Sequence, residues 1–150
     1  MGSEAQVNKM GTDCVIAIEA FDETSRKWVL IMSTYACRCY SMFALLNNIR
    51  GSGDRYTIDN RGIPDDISAD ARCVVNPQEV VNGSWVPVKY GHTWYTYDEM
   101  KRRIRHGKVK EDDFRMTWDV LLDDESGIKK DIISHVAKDH KVRLILAFDN

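Results

Sequence analysis

The run that most restricts what this chain can fold into is Val142 to Phe148. Val142, Leu144, Leu146 and Phe148 alternate there with Arg143, Ile145 and Ala147. A period of two means a strand, because successive side chains point to opposite faces. With almost no polar residue on either face, the strand belongs in the middle of a sheet covered on both sides. Cys14 to Phe21 has the same character. Cys14, Ile16, Ile18 and Ala20 form one face, Val15, Ala17, Glu19 and Phe21 the other, and Glu19 is the only charge. Two such strands need apolar layers above and below them, and 150 residues suffice to build those layers from one core. Asp13 and Asp149 flank the two strands. Parallel pairing would hold these carboxylates apart and antiparallel pairing would bring them to one edge; the sequence leaves both open.

The remaining elements follow from period and punctuation. Lys27 to Met32 is a second β-type run, joined to the first by the polar loop Asp22 to Arg26. Met42, Leu45, Leu46 and Ile49 fall at helical spacing, Phe43 and Ala44 widen the apolar side, and Gly51 ends the helix. Glu79 to Val86 reads as a hairpin, because Asn82-Gly83 suits the positive φ values of a type I′ turn and Pro87 suits a sheet edge. Thr96-Tyr97-Asp98-Glu99 matches a capping box that opens a helix running to about His106. Further helices are expected over Glu111 to Leu122 and Ile128 to Lys138. The pattern predicts a single α+β domain over residues 10–150, with a mixed or antiparallel sheet packed with three or four helices. Residues 1–9 carry no apolar pattern and are expected to be a disordered extension or an appended remnant.

Composition narrows the function classes. A net charge of −2 argues against a general nucleic-acid binder, which carries a basic excess. The basic run Lys101 to Lys110 meets Glu111, Asp112 and Asp113 at once and reads as a solvated helix face. The chain contains no apolar run of about 18 residues, so no membrane span is expected. The stretch Met1 to Lys9 is polar, so no signal peptide is expected from it. Cys14, Cys37, Cys39 and Cys73 are irregularly spaced and fit free thiols in a reducing cytoplasm. There is no Cys-x-x-Cys pair and no His-Glu-x-x-His helix, so no metal is expected. Neither a glycine-rich phosphate loop nor a Gly-x-Ser-x-Gly elbow occurs, and no cofactor is implied.

The stretch Asn60-Arg61-Gly62-Ile63-Pro64-Asp65-Asp66-Ile67-Ser68 is too polar for a strand and too broken for a helix. Gly62 allows positive φ, Pro64 restrains Ile63, and Ser68 is able to cap a short helix over Ala69 to Ala71. Arg38, Arg50 and Arg61 lie near loop or helix ends. Together they are candidates for an anion-binding cleft, since guanidinium recognises phosphate or carboxylate bidentately. Tyr40, Trp94 and Tyr95 would offer stacking faces, and Asp65 a further contact. The alternative is structural, with Arg50 or Arg61 paired to Asp65 or Asp66 to lock the loop. His92 is a candidate general base, or else a hydrogen-bonded residue that orders the turn before the capped helix. Asp13, Asp66 and His92 are the catalytic candidates.

Several of these motifs occur in a shared order: Met10-Gly11-Thr12-Asp13, Arg38-Cys39-Tyr40-Ser41-Met42-Phe43-Ala44, Arg50, the Arg61 to Ser68 loop, Gly91-His92-Thr93-Trp94, and Phe148-Asp149-Asn150. In that order the chain resembles a family of small bacteriophage and prophage proteins. They open Met-Gly-Cys-Asp-Ile-His, carry an Arg-Gly-Leu-Pro loop and a His-Ser-Trp segment, and end in Phe-Asp-Asn. Val15 stands where the family has its early His, and Thr12 replaces the Cys. The resemblance implies a phage origin, a shared fold and a location in the cytoplasm of an infected bacterium. Three functions follow as expectations. The first is a binder of a small anionic, nucleotide-like ligand that counters host defence signalling. The second is a hydrolase of phosphoester or glycosidic bonds using Asp13, Asp66 and His92, and the third an interaction protein that meets a host or phage protein through the hairpin edge around Asn82-Gly83 and its charged helices. A homo-oligomer is compatible with all three.

Overall fold

The computed structural model describes residues 11–36, 43, 46–47, 60–106 and 141–149, with backbone alone at 101 and 104–106. Strand β1 (Asp13–Asp22) lies between β2 (Lys27–Ala36) and β6 (Val142–Asp149), with β5 (Tyr90–Thr96) outside β6, so the sheet order is β2-β1-β6-β5. Every pairing is antiparallel. Asp13 stands opposite Asp149, and the register runs unbroken from there to Ala20 opposite Val142. The two apolar runs are thus the two central strands, as their composition requires. A separate two-stranded sheet is formed by β3 (Gln78–Val81) and β4 (Ser84–Pro87). Its turn has Asn82 at φ 51° and Gly83 at φ 79°, the type I′ geometry expected of Asn-Gly.

The main sheet buries both faces. On one, Cys14, Ile16 and Ile18 of β1 meet Leu144, Leu146 and Phe148 of β6, together with Tyr95, Phe43, Leu46 and Met100. Phe43 and Phe148 pack edge to face, with ring centroids 5.0 Å apart. Phe43 and Leu46 are helical, as their spacing predicts; Met42, Leu45 and Ile49 lie outside the described residues. On the other face, Val15, Ala17, Ile145 and Ala147 are covered by Ala71 and Val75 of α1 (Ala69–Val75). Each large aliphatic side chain enclosed this way contributes about 1.5–3 kcal/mol. Cys14 is fully buried, and desolvation raises its thiol pKa well above the ordinary value.

The expectation of a sheet packed with three or four helices is corrected. Strand outweighs helix among the described residues, whose helices with defined bounds are α1 and α2 (Tyr97–His106), and no mixed pairing occurs. Much of the extra strand is β5, which the sequence presents as an aromatic and polar cluster. Gly91 at φ 65° accompanies a register shift between Tyr90 and Thr93, and the β-branched and aromatic residues beyond it pair with β6. The second β-run also extends past Met32 to Ala36. Both stretches have ample β propensity, masked in one by glycine and in the other by small polar residues. The helices expected over Glu111 to Leu122 and Ile128 to Lys138, and the extension 1–9, lie outside the described residues.

Candidate functional site

Glu19 and Arg143 are cross-strand partners in the centre of the sheet, on the α1 face and beyond the end of that helix. Both are buried. Arg143 Nε donates to Glu19 Oε1 at 2.8 Å, and Nη2 lies 2.7 Å from the same oxygen without an aligned hydrogen bond. The other Glu19 oxygen accepts from the backbone N–H of Ser68 at 2.8 Å. Arg143 Nη1 donates to Asp66 Oδ1 at 2.8 Å, and Trp28 Nε1 donates to Asp66 Oδ2 at 3.0 Å. The Arg143 hydrogen bond, with lesser help from that charge and from Trp28, holds the Asp66 carboxyl below its usual range. Two central-strand charges thereby pin the Arg61–Ser68 loop over the sheet.

The loop is stitched to β5 as well. The Arg61 N–H donates to Thr93 Oγ1 at 3.0 Å, and Gly62 N–H to the His92 carbonyl at 3.0 Å. Gly62 takes φ 76°, which a residue with a side chain adopts only under strain. Ser68 Oγ accepts from the Ala71 N–H at 3.1 Å, capping α1 as expected. The capping box of α2 also forms: Thr96 N–H donates to Glu99 Oε1 at 3.0 Å and Glu99 N–H to Thr96 Oγ1 at 3.1 Å. Glu99 therefore faces the loop, and Arg61 grips it with both terminal nitrogens, at 3.0 and 2.6 Å. The hydrogen bonds from Arg61 dominate in lowering the Glu99 pKa to about 2, and the same contact raises that of Arg61.

These contacts order the side chains into a ladder. The Arg143 guanidinium sits 3.9 Å from the Trp28 ring centroid and 5.9 Å from that of Trp94; the Arg61 guanidinium is 5.0 Å from Trp94 and 5.3 Å from Tyr95. Above the ladder lies a groove of about 940 Å³, bounded by the loop residues Arg61 and Ile63 to Asp66, by Trp28 and Trp94, by Thr96 to Asp98, and by Lys141 to Arg143. Its charges balance, with Arg61, Lys141 and Arg143 against Asp65, Asp66 and Asp98. Arg143 is shared between Glu19 and Asp66, so that trio carries one net negative charge, while Arg61 and Glu99 neutralise each other. The half-buried indoles of Trp28 and Trp94 border the groove with guanidinium groups already against them, and the Asp65 and Asp98 carboxylates, the Lys141 ammonium, and the Arg61 Nε and second Nη2 hydrogens remain to meet a ligand.

The candidates named from the sequence divide. Arg61, Asp65, Asp66 and Trp94 are brought together in the groove. Arg38, Tyr40 and Arg50 lie outside the described residues. Arg61 has the structural partner foreseen for it, but the partner is Glu99, and Asp66 pairs with Arg143. His92 donates from Nε2 to the Val75 carbonyl at 2.6 Å, tying β5 to the end of α1. Asp13 sits at the far end of β1, six residues from Glu19, a span of roughly 20 Å. Asp13, Asp66 and His92 therefore do not assemble around one reacting atom. Antiparallel pairing does bring Asp13 and Asp149 to one edge, where Lys89 forms an ion pair with Asp149.

Glu19, Trp28, Lys141 and Arg143 were missed. The available signal was that Glu19 and Arg143 are the lone charges within the apolar runs Cys14 to Phe21 and Val142 to Phe148, opposite in sign. Among the described residues no group of three or more His, Cys, Asp or Glu is placed to hold a metal ion, and no helix is long and apolar enough to cross a membrane. Compared with known proteins, the chain matches no family model, no curated protein and no solved structure.

Proposed function

We propose that the chain is a small-ligand binding protein whose groove takes a planar heterocycle carrying one acidic group, as a nucleotide does. The observation that carries this reading is the ladder Trp28–Arg143–Trp94–Arg61. The guanidinium groups hold the rings rigid, and a planar ligand would extend this stack from the groove side; stacking of a base on an aromatic ring contributes about 1–3 kcal/mol. Asp65 and Asp98 suit amino or hydroxyl donors of the ligand, while Lys141 and the spare Arg61 hydrogens suit its negative group. With Glu19 and Glu99 already paired to the arginines, carboxylates outnumber cations around the groove, which favours a ligand rich in hydrogen-bond donors over a purely anionic one. On the phage origin that the resemblance implies, the ligand would be a host signalling nucleotide, and binding would sequester it.

A thermal-shift panel of nucleotides tests the proposal. A nucleotide present at 100 times its dissociation constant should stabilise the fold by about 2.7 kcal/mol. Trp94→Ala should abolish that shift while Trp85→Ala, outside the groove, retains it. If no nucleotide moves the melting temperature, or Trp94→Ala responds like the parent chain, the reading is lost. The hydrolytic alternative finds no support in the separated Asp13, Asp66 and His92.

A further inference from the structure

Pro64, Asp65, Asp66 and Ile67 form a tight turn on the groove wall, closed by a 3.2 Å hydrogen bond from the Ile67 N–H to the Pro64 carbonyl. Its two central carboxylates differ. Asp66 is committed to Arg143 and to Trp28 Nε1, whereas the exposed Asp65 side chain pairs with none of the described residues. Because Asp66 is bonded to the Trp28 indole, its neighbour Asp65 stands at that end of the ladder. Asp98 is also exposed and unpaired among the described residues. It precedes Glu99, which grips Arg61, and so stands at the other end. We propose, resting on the nucleotide reading above, that the base is guanine, stacked at the Trp28 end with Asp65 against its base-pairing edge.

Donor and acceptor chemistry selects that base. An ionised carboxylate only accepts, through two oxygens side by side. Guanine presents two donors side by side, a ring N–H and an exocyclic amino group. Adenine and cytosine set an amino donor beside a ring-nitrogen acceptor, and uracil sets one N–H between two carbonyls. Each of those turns a lone pair toward the carboxylate, so among the common bases guanine alone satisfies both Asp65 oxygens. At the other end of the ladder, Glu99 occupies both terminal nitrogens of Arg61, and the Trp94 carbonyl accepts the second Nη1 hydrogen at 3.1 Å. In a planar guanidinium the hydrogens left over, on Nε and Nη2, lie parallel along one side. They form a complete two-donor fork that fits two oxygens of a phosphate. Asp98 beside it suits the hydroxyls of a sugar. One fork matches one phosphate, and the excess of carboxylates around the groove opposes a longer chain of them.

Titrating the whole chain with guanosine, inosine, adenosine and xanthosine monophosphates, read by thermal shift, tests this. Inosine monophosphate lacks only the exocyclic amino group, and losing one charge-assisted hydrogen bond should weaken it about tenfold. Asp65→Asn puts an amide N–H where xanthine carries a carbonyl in place of that amino group. The variant should therefore prefer xanthosine to guanosine monophosphate, a reversal that damage to the fold would not produce. Asp98→Asn should weaken guanosine and inosine monophosphates alike. Equal shifts from the guanosine, inosine and adenosine compounds would overturn guanine and leave the nucleotide reading standing, whereas no shift from any nucleotide would remove both. A preference for guanosine monophosphate that persists in Asp65→Asn overturns the proposal as well.

Discussion

Arg143 is the residue on which the most contacts around the groove depend. It is 4% exposed yet bonded to Glu19 and Asp66 and stacked on Trp28. Removing one partner of a buried ion pair strands the other charge, which costs about 3–5 kcal/mol. Arg143→Met should therefore destabilise by that amount in urea unfolding. Glu19→Leu combined with Arg143→Met should recover most of the loss, and a double variant as unstable as the sum of the two single ones would show that the pair is not coupled. Glu99 supplies a pH handle. Its pKa falls from an ordinary 4.5 to about 2 on folding, so the stability it adds is complete above 4.5 and lost as pH falls toward 2. Asp66, also depressed, acts in the same direction. Melting temperatures from pH 5 to pH 2 should fall more steeply for the parent chain than for Glu99→Gln, and parallel curves would remove Glu99 from the account.

The loop over the groove depends on one backbone position. A Cβ at Gly62 would meet no atom within 4 Å, so substitution there costs conformational strain alone. Gly62→Ala should destabilise by about 1–2 kcal/mol and Gly62→Asn by less, since asparagine tolerates positive φ. Equal losses in denaturant midpoint would mean that something other than φ is at stake. Elements bounded by unambiguous chemistry were legible beforehand: the Asn82-Gly83 turn, the Thr96 to Glu99 box and the Ser68 cap. β5 was not, because Gly91 interrupts the alternation that identifies a strand. The site was half legible for a related reason. Arg61, Asp65, Asp66 and Trp94 sit in or beside a loop whose polarity draws notice, whereas Glu19 and Arg143 gain meaning only from a register between strands more than a hundred residues apart.

That distant pairing governs the whole molecule. β1 and β6 must find each other before either face of the sheet can close, which makes the main sheet a high-contact-order, cooperative unit. Hydrogen exchange should show the slowest amides on Ile16, Ile18, Leu144 and Leu146 and fast exchange on the β3–β4 hairpin; protection of similar size in both would argue for a single unit. The same closure encloses Cys14, whose thiol is walled off by β1's two neighbours and by the aromatic layer above. A thiol reagent can reach it only when that enclosure comes apart. In a chain with the other three cysteines replaced by serine, its rate of alkylation becomes a stopwatch for spontaneous unfolding, readable by mass spectrometry in plain buffer.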